Sequence, residues 1–451
     1  MAAGPFAAGH LGELTQQVPF EMVDEALAET GAVQRRVRDV PARVAVYLLL
    51  AGCLFGRLGY RQVWQKLVAG LDGLVVPDPS EAALTQARRR LGAKPLRFLF
   101  DLLRGPAATV RSTTVRWRGL LVCAIDGTIV TVADSAANLT VFSKQRGGRN
   151  GDAGYPTLRL LALVACGTRT IIDAVFGPVS TGETRYAPQL LRSLHAGMLL
   201  LADRNFGAGT LLAQIAGTEA DFLVRVKSGR GGPKLPALQR HRDGSYQSVF
   251  GGVTVRVIDA EITIATKTGR RTGTYRLITT LLDPDRYPAF ELIQLYHERW
   301  EIETAYLELK SSILGGRVLR ARTPTGVTQE IYALLITYQI LRTAMADATT
   351  TQPGTDPDRA SFTIALNTAR DLVVQAANVI ADTVIDLVGK IGRIVLDNLM
   401  PDRRVRIKDR TVKRAMSRYN AKGANIDRTT YKATLDISVL GAPTLTTNPD
   451  P

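Results

Sequence analysis

Three acids in this chain have the types and placement to do metal chemistry. Asp126 ends the apolar run Leu120–Ile125, Asp203 ends the apolar run Met198–Ala202, and Glu303 lies in the stretch Tyr-His-Glu-Arg-Trp-Glu-Ile-Glu-Thr-Ala-Tyr-Leu-Glu-Leu-Lys at residues 296–310. Three carboxylates are what two divalent cations need to sit roughly 3.5–4 Å apart and clamp an in-line phosphoryl transfer. Mg²⁺ suits such a set, because it takes hard oxygen ligands, keeps several waters and lets a substrate phosphate complete its shell. Without a cation the carboxylates would repel, and one or more would take up a proton.

These acids need elements that bring them together. Residues 296–310 lack Gly and Pro and are rich in helix formers, so they are expected to be helical. With Tyr296 at zero on a helical turn, Arg299 falls near ~300°, Glu303 near ~340° and Lys310 near ~320°. Leu295, Ile302, Tyr306, Leu309 and Ile313 form an apolar stripe beside them, at roughly 220–280°. Glu298, Glu301 and Glu308 are expected to point away, at about 120–200°. One carboxylate is thus flanked by two cations and an aromatic ring at the edge of a buried face. Such residues on a lone helix most often form a solvated face with weak ion pairs. Asp126 and Asp203 change that reading: if their strands are parallel neighbours, both carboxylates emerge at one sheet edge, where α/β sheets place their sites.

The chain has 451 residues, with 45% hydrophobic and 22% charged residues, an ordinary globular profile large enough for several domains. Its formal net charge of +16 favours a polyanionic partner, since Lys and Arg release counterions from a phosphate backbone. Cys53, Cys123 and Cys166 sit in apolar runs without a CxxC, and the four histidines have no metal-ligand spacing, so a zinc site or disulfide frame is not indicated. A reducing cytosol fits this usage. No signal peptide is expected at the start, and Val44–Phe55 is too short to span a bilayer and reads as a buried helix.

The region to about Arg104 reads as helical, over Phe20–Glu29, Pro41–Cys53, Tyr60–Ala69, Ser80–Leu91 and Pro95–Leu103. The Ser80–Gly92 segment has a cap at its start, Gly at its end and Arg88, Arg89 and Arg90 within it, a candidate for a DNA groove. From Trp117 the period changes. Leu120–Asp126 and Thr128–Ala133 are expected to be strands at hairpin distance. Leu158–Ala165 and Thr170–Phe176 follow as strands, then helix at Glu183–His195, strand to Asp203, helix at Leu211–Ala216 and strand at Asp221–Val226: a mixed sheet with helices packed on it. Lys227 to about Tyr287 reads as a β-rich insertion outside the main sheet. Helices are expected over Thr328–Ala346 and Phe362–Met400, then a tail dense in Arg403, Arg404, Arg406, Lys408, Arg410, Lys413, Arg414 and Arg418.

On these residues the chain resembles the bacterial DDE transposases of the insertion-sequence-four type. Tyr296, Arg299, Glu303 and Lys310 match that family's Y-R-E-K signature in spacing, with Ala124-Ile125-Asp126-Gly127-Thr128 at the first acid and Leu201-Ala202-Asp203-Arg204-Asn205-Phe206 at the second. The β-rich insertion, the helical N-terminal region and the basic tail are similar too, so the likeness covers nearly the whole chain. It implies an α/β, RNase H-like (retroviral-integrase-like) catalytic core over about 115–346, with the insertion at about 227–287. A helical DNA-binding domain would precede it over 1–110, and a helical region with a basic tail would follow over 359–440.

The resemblance further implies that Asp126, Asp203 and Glu303 are catalytic and bind two Mg²⁺ ions, with Mn²⁺ as substitute. Tyr296, Arg299 and Lys310 would hold the transposon end. The activity implied is nicking of transposon ends and strand transfer into target DNA, cut-and-paste, in a homodimeric synaptic complex on double-stranded DNA. The setting implied is cytoplasmic, with the nucleoid when DNA-bound and no membrane. An RNase H-like nuclease without strand transfer and a non-catalytic end-binding repressor are the alternatives. One departure stands out: some members use a Trp of the insertion against a flipped base in hairpin formation, whereas Trp64, Trp117 and Trp300 all lie outside it here, leaving Tyr246, Phe250 or Tyr275.

Overall fold

The computed structural model describes residues 10–442 apart from 37, 72–74, 108–115, 147–151, 268, 353, 376–387, 402–405 and 408–430. Five helices come first: α1 (Phe20–Glu29), α2 (Ala42–Leu54), α3 (Tyr60–Val68), α4 (Glu81–Leu91) and α5 (Lys94–Leu103). Every residue of α2 except Arg43 is buried, as its apolar composition requires. Ser80 caps α4 by accepting from the Ala83 amide, and Gly92 ends it at positive φ.

The central sheet is built from β1 (Leu120–Thr131), β2 (Thr157–Ala165), β3 (Ile171–Pro178), β4 (Met198–Ala202) and β5 (Asp221–Val226). Its order is β3-β2-β1-β4-β5. β1, β2 and β3 pair antiparallel, while β4 is parallel to both β1 and β5. This mixed arrangement is the RNase H-like core that the family resemblance implies. Between β3 and β4 lies the short α6 (Glu183–Tyr186), continued by a 3-10 turn at Ala187–Ser193, and α7 (Gly209–Ala216) joins β4 to β5. The helix expected over Glu183–His195 is therefore mostly 3-10, with Pro188 near the start of that turn.

Two expectations about strands are corrected. The Asp126-Gly127 pair is no hairpin turn: β1 runs straight through it, in register with β2 from Cys123↔Ala165 to Thr131↔Thr157. The β-branched run Thr128-Ile129-Val130-Thr131 favours extended backbone and carries the strand on. Nor does the insertion stand apart. Its strands β6 (Tyr246–Phe250), β7 (Val253–Thr266) and β8 (Gly269–Thr279) join the main sheet, because β8 pairs antiparallel with β5 through Arg276↔Val226 to Thr279↔Leu223. β5 would otherwise leave a row of amides and carbonyls unpaired at the sheet edge. β9 (Tyr431–Val439) adds to the far side of β7.

After the insertion come α8 (Ala289–Leu295), a 3-10 turn (Tyr296–Arg299), α9 (Trp300–Leu307) and a π turn (Glu308–Ile313). The helix expected over 296–310 is thus continuous in direction but changes pitch twice. Then α10 (Pro324–Thr350) runs through the core, packed on α2, α5 and α12 (Gly389–Asp397), with α11 (Phe362–Val374) beside it. The expected Phe362–Met400 helix is α11 and α12, and residues 376–387 between them lie outside those described. So does the basic tail expected over Pro401–Lys432, apart from Pro401, the two-residue strand Arg406–Ile407 and the start of β9 at Tyr431 and Lys432.

Alternation along β1 divides the core into two layers. Val122 and Ala124 face one layer, with β4's Leu199 and Leu201 and the helices α1 to α5 and α8 to α11. Leu121, Cys123 and Ile125 face the other, with Tyr186, Ala187, Leu190 and α7. Gln339 of α10 stitches the N-terminal helices to the sheet: its Oε1 accepts from the Ile171 amide at 2.7 Å, and its Nε2 donates to the carbonyls of Leu103 and Gly105 at 3.1 and 3.0 Å.

Candidate active site

Ile125 is the last residue of β1 to pair with β4, opposite Ala202. Asp126 and Asp203 are therefore the next residues on two parallel neighbours, side by side where β4 stops. By the alternation of β1, Asp126 lies on the layer that carries Ala124, the one covered by α8 and α9. Asp203 caps the following 3-10 turn, its Oδ1 accepting from the Asn205 amide at 2.8 Å.

The turn at 296–299 and α9 lie over this edge. The ring of Tyr296 is buried and its hydroxyl donates to the Ala202 carbonyl at 3.1 Å, which pins the turn to the end of β4. Burial pushes that hydroxyl up to about 12. Contact between Tyr296 and DNA would require this bond to be exchanged. Tyr306, one turn after Glu303, donates to the Asp126 carbonyl and accepts from the Ala162 amide at 3.0 Å, so α9 is fastened to β1 and β2 at the level of Asp126. The expected apolar stripe is confirmed: Leu295, Ile302, Tyr306, Leu309 and Ile313 are all buried.

Arg299 spans the site. Its guanidinium is 3.9 Å from Asp126 Oδ2 and 3.8 Å from Glu303 Oε1, while its buried Nε finds no hydrogen-bond partner. It is a loose counter-charge between two carboxylates rather than a locked ion pair. Asp126 is pushed up to about 6, first by burial and then by the charges of Asp203 and Glu183, against the pull of the Gly127 amide and Arg299. Lys310 sits in the π turn and donates to Thr128 Oγ1 at 3.1 Å. The structure thus brings all six expected residues to the end of β4 and the adjoining middle of β1. The donor set is entirely hard oxygen and short of positive charge, which fits a divalent cation.

The other glutamates of this segment point away from the Glu303 face, but two of them do so into the interior. Glu298 is exposed, but Glu301 and Glu308 do not point to solvent; both are buried. Arg169, at positive φ in the turn from β2 to β3, pairs with Glu301, with Glu308 at 3.4 Å and with Asp358 at 2.7 Å. Arg342 of α10 holds Glu308 from the other side, with Nε at 3.0 Å from Oε2. The cause is that this segment is covered on two sides, by the sheet and by α10. Glu298, Glu301 and Asp358 converge as metal ligands would, but a guanidinium already pairs with two of the three carboxylates. This cluster is a structural ion network. The signal for it in the sequence was the spacing of Glu301 and Glu308, about two helical turns apart and so on one face.

The family model described as Transposase DDE domain matches residues 117–340, and that described as Insertion element 4 transposase N-terminal matches residues 8–101. The chain belongs to the insertion-element-4 type of DDE transposases. The transposase is 28% identical over 350 residues to transposase InsG for insertion sequence element IS4 of Escherichia coli (strain K12), covering 76% of this chain and 78% of that protein. Its chain also aligns with a solved piggyBac transposase synaptic complex with hairpin DNA. That alignment has 11% identity, covers 86% of this chain and 85% of the other, and gives a TM-score of 0.43. It is an insertion-sequence transposase, an enzyme of the DDE type that acts on DNA and whose domain implies dependence on divalent metal. Among the described residues no helix is long and apolar enough to cross a membrane.

Proposed function

We propose that Asp126, Asp203 and Glu303 are the metal-binding catalytic residues, and that the transposase nicks transposon ends and joins them to target DNA. The observation that carries this is the pairing of β1 with β4, Ile125 opposite Ala202, with Arg299 reaching from Asp126 to Glu303 across the same edge. Two Mg²⁺ ions bound there, or Mn²⁺ in their place, would activate a water and then a DNA 3′-hydroxyl and stabilise the leaving oxygen. Asp126 and Asp203 offer ligands from a rigid strand pair, and Glu303 offers a third from α9. Arg299 and Lys310 hold phosphates of the transposon end, and Tyr296 completes that contact or fixes the strand end beside it. Two copies pair the two ends, and the setting is the cytoplasm.

The helical region before β1 is proposed to bind DNA as well. Arg35, Arg36, Arg38 and Arg90 line one open pocket, and Arg89 is exposed beside them. Arg88 is used internally, its guanidinium 3.8 Å from the centre of the Tyr60 ring.

A strand-transfer assay on a labelled transposon end with Mg²⁺ tests the reaction: joined product is expected, and cleavage that never proceeds to joining would mean a nuclease instead. The phosphate contacts have their own signature. Arg299→Ala and Lys310→Ala are each expected to weaken end binding and to lower the slope of log affinity against log salt by about one. An unchanged slope would remove that residue from the contact.

A further inference from the structure

A fourth carboxylate stands at this edge, on the opposite layer of the sheet. Glu183 opens α6, which is anchored by buried Tyr186, Ala187 and Leu190, with the Tyr186 hydroxyl donating to the Pro178 carbonyl at 3.1 Å. From there the Glu183 side chain lies against β1 at Gly127. A Cβ on Gly127 would meet Glu183 Oε1 at 2.4 Å, Cδ at 2.7 Å and Cγ at 2.8 Å, so a larger residue there would push this carboxylate from its place. Gly127 is not at positive φ, and nothing else about its backbone demands glycine. Arg159, on β2 opposite Ile129, donates to Glu183 Oε1 at 2.6 Å and holds it there.

β4 ends at Ala202, so beyond Ile125 strand β1 has no β4 residue paired beside it. At Asp126 and Gly127 the two layers therefore meet at an open edge. Asp126, Asp203 and Glu303 approach it from one layer, and Glu183 approaches from the other. We propose that Glu183 is a fourth carboxylate of the metal centre, positioned by the Gly127 gap and Arg159 to take a metal or a metal-bound water from the far layer. This rests on the metal-site reading of Asp126, Asp203 and Glu303. The Glu183 carboxylate lies against Gly127, the residue next to Asp126 in β1. A carboxylate placed beside other carboxylates costs free energy unless a cation is shared among them. A mere brace between α6 and β2 would need Arg159 and Glu183 but no approach to Asp126.

Mn²⁺ binding to the full-length protein without DNA, followed by calorimetry and by the Mn²⁺ paramagnetic resonance signal, tests this. Glu183→Gln preserves shape and an acceptor for Arg159, and is expected to weaken Mn²⁺ binding about tenfold or more. The effect of Glu183→Gln is expected to persist in an Arg159→Gln background, where Glu183 has no ion pair left to brace. The proposal is overturned if Asp203→Asn weakens Mn²⁺ binding while Glu183→Gln leaves it unchanged in the parent or in the Arg159→Gln background. If Asp203→Asn and Asp126→Asn also leave binding unchanged, the metal-site reading itself falls and takes the role of Glu183 with it. Should Glu183→Gln fail to fold, Glu183→Asp, which keeps the charge and shortens the reach, is expected to weaken Mn²⁺ binding, and unchanged binding overturns the proposal.

Discussion

Asp203→Asn is expected to reduce both end cleavage and strand transfer by about 10³-fold or more while leaving binding of the transposon end intact. The size follows from the role: a bound metal supplies several kcal/mol of transition-state charge stabilisation, and each ~1.4 kcal/mol is tenfold in rate. Asn keeps the volume and one oxygen, but it cannot balance a cation's charge. The fold should tolerate it. Asp203 is half-buried at the end of β4, and the Asn205 amide that it caps can bond to an amide oxygen as well. End binding should not suffer, because a carboxylate beside DNA phosphates repels them, and its loss removes that repulsion. Both outcomes can be read from one gel-shift and strand-transfer series at matched Mg²⁺. Joining that stays within tenfold of the parent would exclude Asp203 from the metal centre.

The elements around this site differ in how far local sequence could reveal them. The N-terminal helices match their expected bounds within a residue or two, because Ser80, Gly92 and the prolines at 19 and 41 mark ends locally. Asp126 and Asp203 stood out for a similar reason, since an apolar run ending in Asp is a local pattern, although β1 runs on past Asp126. What was not legible depends on partners distant in the chain. Gly127 looked like a turn residue, yet it lies within β1 with Glu183, from another element, against it. The insertion read as separate because nothing within Lys227–Tyr287 announces that β5 offers a free edge to β8. The burial of Glu301 and Glu308 was not legible because Arg169 and Arg342, which bury with them, come from β2–β3 and α10. The change from 3-10 to α to π pitch across 296–313 likewise answers to packing on both sides, and it sets Lys310 toward Thr128.

That buried network governs the stability of the site. Glu308→Ala is expected to lower the unfolding free energy by about 3–5 kcal/mol, the usual cost of leaving a buried charge without its partner. Glu308 accepts from Arg342 through both oxygens and from Arg169, and the Tyr338 hydroxyl lies 3.2 Å from Oε2. Removing it strands Arg342, which is 2% exposed and cannot turn to water. Coulomb attraction is not the main reason for the loss, since ion pairs in a protein interior roughly repay their own desolvation. The loss comes from the unpaired guanidinium left behind. A double variant, Glu308→Ala with Arg342→Met, should therefore be more stable than Glu308→Ala alone, although it has lost more polar contacts. Urea unfolding of the two variants and the parent decides this. If Glu308→Ala costs less than about 1 kcal/mol, as an exposed pair would, or if the double variant is the less stable of the two, the network is not the clamp that seats α9 and its π turn over Asp126.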